Sequence, residues 1–358
     1  MTHSIRGPRE RSGAPIVAEL LAVQSLVVRM PGARAPVTLV DHVDFSIASG
    51  EVLGIAGESG SGKTMSMLAL LGLQPPRAVV TGRASFGGQD LLALSTRELR
   101  RIRGNEIAVV FQDPMTTLHP MLSIEKQLTE HMRGHLNIGK VEARNRAIAL
   151  LEEVRIPDAS KALRAYPHHF SGGMRQRIVI AMALACEPKL LIADEPTTAL
   201  DVTVQAGILQ LLDQLRSDRQ MAVILVTHDL GVLSSLADRV LVFYAGRVVE
   251  AGRTSDLLRS PQHPYTRHLL LALPDPAIRD QPLIPIPGVP ATPEDRPSGC
   301  AFHPRCSYQE ASCSVNIPPL EPVPHGGLSA CPIAPFAGDA LGVPRDRTLN
   351  RGSERAST

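Results

Sequence analysis

The sequence GESGSGKT, Gly57–Thr64, has the form G-x-x-x-x-G-K-[ST] at every fixed position. It follows the apolar run VLGIA and precedes MSMLALLGL, and this strand–loop–helix order indicates a phosphate-binding loop. Glycines allow backbone N–H groups to converge on a polyanion, and the dipole of the following helix adds to the attraction. Lys63 is expected to reach the β- and γ-phosphates and Thr64 to bind Mg²⁺. The full set of predicted phosphate contacts is Gly57, Ser59, Gly60, Ser61, Gly62, Lys63 and Thr64.

A second motif, KLLIADEP at residues 189–196, places two carboxylates after an apolar run. A magnesium site beside a phosphate loop needs a carboxylate at the end of a buried strand, and Asp194 suits that role. Glu195 suits a base that positions or polarises water for hydrolysis. An Asp-Glu pair after a strand is a weak signal alone, but together with the loop it favours a nucleoside triphosphatase.

The remaining sequence alternates between strand-like and helical segments. The runs VDFSI, KLLIAD and AVILVTHD predict strands, and VQAGILQLLDQLRSDR predicts a helix between the last two. The chain from Ser95 to about Ser171 is predicted to be helical, with a capping box from Ser95 to Glu98 at its start. This alternation predicts α/β layers with a parallel sheet.

Composition limits the classes of partner. The chain has 37 basic and 35 acidic residues, no Trp and 3% aromatic residues, so neither its charge nor base stacking indicates nucleic acid binding. The longest apolar run, Ile178–Cys186, has nine residues, which is short of the roughly 18 of a membrane-spanning helix. We therefore expect the chain to remain in the cytosol, where thiols are reduced.

The sequence FSGGMRQR, Phe170–Arg177, resembles the LSGGQ signature of ATP-binding-cassette (ABC) ATPases. A serine and two glycines that begin a helix can receive an anion at its N-terminus. In the family this anion is the γ-phosphate held by the phosphate loop of the opposite subunit. The matching residues here are Ser171, Gly172 and Gly173.

Three further motifs match the family in the order that it has them. Gln112 in VVFQDP resembles the Q-loop glutamine, Asp201 in TALD belongs to the D-loop, and His228 in VTHD resembles the switch histidine. One position departs from the family pattern. Met30 stands near the place where an aromatic residue usually stacks on adenine, and a thioether can contact the ring instead.

The resemblance covers about residues 18–260 and implies a P-loop NTPase of the ABC cassette type. Such a cassette has a RecA-like core with a parallel sheet, an antiparallel β subdomain and a helical subdomain, the last at about residues 95–170. It implies a site for ATP and Mg²⁺ in which Glu195, His228 and Gln112 are catalytic. The implied magnesium ligands are Thr64, Gln112 and Asp194.

The resemblance also implies partners and a location. The cassette is expected to pair with a second ABC ATPase subunit, as a heterodimer, with Asp201 and the signature residues at the shared site. Two transmembrane permease subunits and, through the complex, an extracytoplasmic peptide-binding protein complete the implied assembly. The chain would then be a peripheral protein at the cytoplasmic face of the cell membrane.

The stretches HPYTRHLLLALP, IPIPGVP and GCAFHPRC resemble the C-terminal extension of oligopeptide/dipeptide permease ATPases, assigned here to residues 261–335. They imply an importer of peptides. An importer of nickel or another small solute is the first alternative, and a soluble ABC ATPase acting on nucleic acid is the second. Residues 1–17 are predicted to be disordered and residues 336–358 to form a flexible tail.

Four of the five cysteines gather near the end of the chain in the pattern C-x5-C-x6-C-x17-C. Zinc ribbons and ferredoxins use tighter spacings, so the pattern leaves zinc, an iron–sulfur cluster and free thiols equally open, and His303 is a possible replacement ligand. The resemblance implies a [4Fe–4S] cluster on Cys300, Cys306, Cys313 and Cys331. Cys186 lies on an apolar stripe and is expected in the core. We further expect the cassette to have a core separate from this segment.

Overall fold

The computed structural model describes residues 19–32, 35–198, 200–272, 285–324 and 326–333. The predicted disordered start (1–17) and the predicted tail (336–358) lie outside the described residues. The strands are β1 (Glu19–Met30), β2 (Val37–Ala48), β3 (Val52–Ala56), β4 (Val79–Phe86), β5 (Gln89–Asp90), β6 (Ile107–Val110), β7 (Leu190–Asp194), β8 (Ala222–Val226), β9 (Arg239–Tyr244), β10 (Arg247–Arg253), β11 (Glu321–Pro322) and β12 (Leu328–Ser329).

The helices lie between these strands, mostly in the middle of the chain. The predicted capping box is confirmed, because the Ser95 and Glu98 side chains each accept a hydrogen bond from the other residue's backbone N–H at the start of the second helix. The helices are α1 (Lys63–Leu70), α2 (Thr96–Ile102), α3 (Pro114–Thr117), α4 (Ile124–His135), α5 (Lys140–Glu153), α6 (Ala159–Ala162), α7 (Gly172–Leu184), α8 (Val202–Arg219), α9 (Leu230–Leu236), α10 (Thr254–Arg259) and α11 (Pro264–Leu271).

The larger sheet has eight strands in the order β11-β12-β10-β9-β3-β8-β7-β6. The five strands from β9 to β6 run parallel to their neighbours, and β10 pairs antiparallel with β9. Strands β3, β7 and β8 are buried along their whole length, which explains their continuous apolar sequences. The predicted parallel sheet is therefore confirmed.

The smaller sheet is antiparallel, with the order β2-β1-β4-β5. Its edge strand β2 alternates buried and more exposed residues, as expected for a strand with one face against the core. In β2, for example, Val43, Phe45 and Ile47 are buried whereas His42 and Asp44 are exposed. This sheet corresponds to the antiparallel β subdomain that the resemblance implies.

One strand lies inside the region that was predicted to be helical from Ser95 to about Ser171. Residues Ile107–Val110 form β6, which pairs in parallel with β7 at the edge of the larger sheet. The sequence IAVV is apolar and rich in β-branched residues, so it fits a buried strand better than a helix. The prediction of an unbroken helical region was wrong at this point, and the helices from α3 to α6 follow the strand.

The core lies on both faces of the larger sheet. Strand β3 shows the division, because Val52 and Ala56 pack into one hydrophobic cluster while Leu53 and Ile55 pack into the other. The first cluster includes the helices from α4 to α9, and the second fills the space between the two sheets. Cys186 is buried next to this first cluster, as predicted, and burial raises the pKa of its thiol to about 11.

The described residues after Ser260, which we call the C-terminal segment, pack on the cassette. Strand β12 pairs with β10 and so extends the larger sheet. Tyr265 and Phe302 are buried in the same hydrophobic cluster as α7 and α8. The expectation of a core separate from the cassette was therefore wrong. A proline-rich segment has few regular elements with which to enclose a core, so its aromatic side chains are buried against the existing one.

We call the contact between the cassette and the C-terminal segment the seam, formed by Tyr244, Glu250, Tyr265, Phe302 and Arg305. The Phe302 ring lies 5.3 Å from the Tyr244 and Tyr265 rings, centroid to centroid.

Among the helices in the described ranges, none combines the length and the apolar character needed to cross a bilayer.

Candidate functional site

The predicted site residues follow neighbouring parallel strands of the larger sheet. The phosphate loop follows β3 and Gln112 follows β6, while Asp194 ends β7 and His228 follows β8. The carboxyl ends of parallel strands meet at one edge of a sheet, which is where α/β proteins bind their ligands. Residues from four distant parts of the sequence are therefore brought to one edge.

Two glycines of the loop occupy positions where a side chain does not fit. Gly57 has φ of 143°, and a Cβ there would lie 2.3 Å from the carbonyl oxygen of Phe243. Gly62 has φ of 101°, and a Cβ there would lie 3.0 Å from the carbonyl oxygen of Leu39. At these two positions the path of the loop is open only to glycine, and α1 begins directly after the loop at Lys63. This arrangement fits a cradle for the phosphates of ATP.

Lys63 is buried and points back into the loop. Its Nζ donates to the carbonyl oxygens of Gly57 at 2.6 Å and of Glu58 at 2.8 Å. Burial lowers the pKa of Lys63, and the neighbouring carboxylates Glu195, Asp194 and Glu58 act in the opposite direction. The ammonium group therefore lies inside the phosphate loop, surrounded by acceptors.

Thr64 and Asp194 meet at the other side of the loop. The Thr64 hydroxyl donates to a carboxylate oxygen of Asp194 at 3.1 Å. Burial raises the pKa of Asp194, and the hydrogen bond from Thr64 opposes this shift. A hydroxyl and a carboxylate are the hard oxygen ligands that Mg²⁺ prefers, so the pair fits the predicted metal role.

Glu195 is the point where three of the predicted motifs converge. Its carboxylate accepts from Gln112 Nε2 at 2.8 Å and from the Thr198 hydroxyl at 2.9 Å, and it lies 3.1 Å from Nδ1 of His228. Burial would raise the pKa of Glu195, but the hydrogen bonds with His228 and Thr198 lower it overall. Glu195 also has φ of +47°, an uncommon conformation for a residue with a side chain. Strained backbone of this kind clusters at functional sites.

The signature residues lie elsewhere on the surface. Ser171 caps α7 by accepting from the Met174 N–H, and both Ser171 and Gly172 are exposed. A Cβ at Gly173 would lie 2.5 Å from Val204, so the signature packs on the start of α8. Asp201 caps that helix and is exposed as well. Each side chain accepts a hydrogen bond from the first turn of its own helix, Ser171 from Met174 of α7 and Asp201 from Val204 of α8.

Met30 lies half-buried at the end of β1, opposite Val37 on β2. Its contact with adenine stays a prediction.

The four clustered cysteines line one cavity of about 170 Å³. The backbone N–H of Cys300 donates to the Cys313 carbonyl at 2.8 Å, which joins two of the cysteine-containing turns. His303 also lines the cavity, but its Nδ1 lies 2.9 Å from the Cys300 carbonyl. Among the described residues, no three His, Cys, Asp or Glu side chains are close enough to share one metal ion. The cavity therefore gathers the thiols without placing them as a single-ion site.

The sequence analysis missed the residues that hold the loop from the C-terminal side. Arg305 forms an ion pair with Glu58 at 2.6 Å, and the Tyr265 hydroxyl accepts from the Glu58 N–H at 2.8 Å. Arg305 lies within the stretch GCAFHPRC, but nothing in the local pattern indicates a partner in the phosphate loop. The one available hint was that Arg305 stands between clustered cysteines in a part of the chain with few charges, which suggests a buried ion pair but does not identify its partner.

Comparison with known proteins agrees with this geometry. The family model described as ABC transporter matches residues 40–198, and the one described as the C-terminal region of oligopeptide/dipeptide transporters matches residues 249–313. The chain is 47% identical to the dipeptide transport ATP-binding protein DppD of Escherichia coli, over 87% of this chain and 96% of that protein. It is 46% identical to the oligopeptide transport ATP-binding protein OppD of Salmonella typhimurium, over 87% and 93%.

Solved structures share the fold. The ATP-binding cassette MJ0796, in a dimeric post-hydrolysis state bound to ADP and Pi, has a TM-score of 0.59 at 27% identity and covers 65% of this chain and 98% of its own. A second neighbour, cbiO1 of Clostridium perfringens, part of the ABC transporter complex cbiONQ, has a TM-score of 0.57 at 27% identity and covers 67% and 90%. Both are ABC cassettes, so the α/β cassette fold is confirmed. Relatives at nearly half identity, aligned over almost the whole of both chains, establish that this chain belongs to the ABC transporter ATPases of the oligopeptide/dipeptide type.

Proposed function

We propose that this chain binds MgATP between itself and a second cassette and hydrolyses it to drive the uptake of di- or oligopeptides through membrane subunits. The observation that carries the proposal is the convergence of Gln112 and His228 on Glu195, beside the phosphate loop. Relatives named for dipeptide and oligopeptide transport support the choice of substrate.

The residues around Glu195 suit hydrolysis by an activated water. Glu195 is ionised near neutral pH, because its hydrogen bonds lower its pKa, and an ionised carboxylate can take a proton from water. His228, which is largely exposed, can reach the γ-phosphate while it orients Glu195. When Mg²⁺ is bound, by Thr64, Gln112 and Asp194, it neutralises charge on the phosphates.

The second cassette is proposed to be a different chain and to use the exposed signature. Ser171, Gly172 and Gly173 begin α7, and their free helix end can receive the γ-phosphate of the partner's nucleotide. Asp201 at the start of α8 lies beside them and would face the same partner. Each cassette would then complete the site of the other.

The permease subunits are proposed to contact the surface around α3. Met115 and Met121 are exposed there, close in sequence to Gln112. Gln112 contacts Glu195 and lies next to this exposed apolar surface, so a change in the position of Gln112 on nucleotide binding can alter the contact with a membrane subunit. We place the chain at the cytoplasmic face of the membrane, as a peripheral subunit of a complex that also has an extracytoplasmic peptide-binding protein.

We also propose the domain division made from the sequence. Residues 18–260 form the cassette, with a helical subdomain at about 95–170, and residues 261–335 form the extension. The family matches at residues 40–198 and 249–313 support this order. The seam supports treating the two parts as one folding unit, because Phe302 is buried in the cassette core.

A [4Fe–4S] cluster on Cys300, Cys306, Cys313 and Cys331 is the proposed cofactor of the cysteine cavity. Four thiols line one cavity, which fits the Cys₄ ligand set of such a cluster. A single zinc ion on the same thiols is the alternative, and it would hold each sulfur at about 2.3 Å. A cluster binds each thiolate to a different iron, so it suits more widely spaced sulfurs. It would supply a cross-link that fixes the segment.

Metal analysis of anaerobically purified protein tests the cluster. About four iron atoms per chain are expected, with the visible absorption of an iron–sulfur centre. Cys306→Ser should remove the iron, because a hard alkoxide is a poor ligand for iron, while the matched change Cys186→Ser in the core should not. A content of one zinc per chain would contradict the cluster and favour a zinc site. Metal-free protein with four titratable thiols would contradict both assignments.

Transport activity tests the function. The chain, purified with its native membrane subunits and reconstituted with the binding protein, is expected to hydrolyse MgATP faster when peptides are supplied. The same complex carrying Glu195→Gln provides the background rate. Stimulation by Ni²⁺ and not by peptides would favour the nickel importer, and stimulation by nucleic acid without membrane subunits would favour the soluble ATPase.

A further inference from the structure

Arg305 connects the C-terminal segment to the phosphate loop. Its guanidinium forms a two-point ion pair with Glu58, with N–O distances of 2.6 and 3.0 Å. The same group donates to the carbonyl of Pro287 at 2.8 Å and to the Tyr244 hydroxyl at 3.3 Å. The Arg305 side chain is only 3% exposed, so the ion pair is shielded from water on this side.

Glu58, the second residue of GESGSGKT, is held at three of its groups. Its carboxylate binds Arg305, and its backbone N–H donates to the Tyr265 hydroxyl at 2.8 Å. Its carbonyl oxygen accepts from Nζ of Lys63 at 2.8 Å. The C-terminal segment is therefore two contacts away from the lysine that is expected to bind the phosphates.

The charge of Glu58 explains why this contact matters for nucleotide binding. A carboxylate within a loop that binds a polyanion repels the phosphates unless a cation neutralises it. The bidentate pair with Arg305 supplies that cation and also fixes the orientation of the carboxylate. Burial would lower the pKa of Arg305, but the hydrogen bonds with Glu58 and Tyr244 raise it overall, so the guanidinium keeps its charge.

A second arginine of the same segment acts on the neighbouring strand. Arg296 donates to the carboxylate of Asp41 and to the carbonyl of Thr38, both at 2.8 Å. Both acceptors belong to β2, whose Leu39 carbonyl lies against Gly62 at the other end of the loop. The C-terminal segment thus contacts the surroundings of the loop at both of its ends.

We propose that Arg305 is a positioning residue for nucleotide binding, which neutralises Glu58 and holds the phosphate loop in the shape that accepts ATP. This inference rests on the proposed function and assigns the C-terminal segment a part in the nucleotide site. Arg305 lies in the turn His303–Arg305, between Cys300 and Cys306. The segment that lines the cysteine cavity therefore also positions the loop.

Nucleotide affinities of the full chain test the proposal. Arg305→Met should weaken MgATP binding about ten-fold, MgADP binding less, and adenosine binding not at all, because the unpaired carboxylate repels the phosphates in proportion to their charge. In a Glu58→Gln background the same change should weaken MgATP binding by less than about two-fold, since no carboxylate is left to repel. Arg259→Met, which removes an exposed arginine from α10, is the matched control.

Turnover in the assembled transporter gives a second readout. Arg305→Met should raise the KM for MgATP and leave kcat within about two-fold, because the change acts on binding and not on the chemical step. An equal loss for ATP, ADP and adenosine, or an undiminished loss in the Glu58→Gln background, would overturn the proposal in favour of a merely structural role. Unchanged affinity in Arg305→Met would overturn it as well.

A conservative variant keeps the test decisive if Arg305→Met does not fold. Arg305→Lys retains the charge but not the two-point contact, so a loss of about three-fold in MgATP affinity is expected, again suppressed by Glu58→Gln. An unmodified chain that binds no MgATP would overturn the proposed function itself, which distinguishes the two failures.

Discussion

The nucleotide site and the seam use charged residues in opposite ways. At the nucleotide site the Glu195 side chain is 17% exposed and His228 is 59% exposed, so both can meet a ligand from solution. At the seam Arg305 is 3% exposed, and its partners come from positions up to 247 residues away. The residues proposed for hydrolysis thus lie at the accessible end of the sheet. The residues that hold the C-terminal segment against the phosphate loop are buried.

Because of this difference, we expect substitutions in the two regions to affect different properties of the protein. A substitution at the proposed nucleotide site alters exposed or partly exposed polar groups and leaves the hydrophobic core intact. A substitution at the seam removes packing or an ion pair from the interior, where empty space and unpaired charge are costly. We therefore expect the first region to control rate and the second to control stability and loop position.

The largest effect is expected from Glu195→Gln, which separates rate from stability. The amide keeps the shape and the neighbours but cannot accept a proton from water, so hydrolysis should fall by about 10³-fold while MgATP binding is kept. Phosphate release by the assembled transporter and nucleotide affinity measure the two effects. Glu130→Gln, at an exposed position on α4, is the control. Near-normal turnover would contradict the role of Glu195 and point to the partner's site.

The next effect is expected from Phe302→Ala, which tests whether the seam belongs to the cassette core. Phe302 is 1% exposed, so its truncation should lower the free energy of unfolding by about 3–5 kcal/mol. Denaturant unfolding should remain a single transition, because both sides of the seam share one cluster. Phe111→Ala, on the surface, should cost under about 1 kcal/mol. A separate early transition of the C-terminal segment, with the cassette unchanged, would show two independent units instead.

The smallest effect is expected at Glu250, the buried carboxylate of the seam. It accepts from the N–H groups of Gln262 and His263, and burial raises its pKa from 4.5 to about 7. Between these values the folded protein holds a proton that the unfolded chain releases. The stability contribution of Glu250 is therefore present below about pH 4.5 and is lost as the pH rises towards about 7, by on the order of 3 kcal/mol.

Comparison with Glu250→Gln isolates the pH-dependent contribution of Glu250 to the free energy of unfolding. Burial lowers the pKa of the neighbouring His263 to about 3, which gives the wild type a second slope of opposite sign as the pH falls below about 6.5. The difference in unfolding free energy between wild type and Glu250→Gln, measured from pH 5 to pH 7, removes the His263 contribution. A difference that does not change with pH would contradict the raised pKa of Glu250.

The sequence indicated the residues of the proposed nucleotide site because each part of that site is short and contiguous. The loop Gly57–Thr64 and the pair Asp194–Glu195 each carry their chemistry within eight residues, next to a strand that the apolar pattern reveals. The sequence could not predict that Gln112 and His228 both meet Glu195, although the shared sheet edge made their proximity reasonable. It misassigned β6, because four apolar residues between helices carry too little periodicity to distinguish strand from helix.

The sequence by itself determined the cassette class, the phosphate loop and the acidic residues beside it, since these depend on local backbone geometry and on residue type. Only the tertiary structure decided that Phe302 completes the cassette core, that Arg305 neutralises Glu58 and that the four late cysteines line one cavity. Such contacts join residues far apart in the chain. They form because the segment lowers its free energy when its aromatic side chains are buried and its buried charge is paired. The surface that accepts them exists only once the cassette has folded.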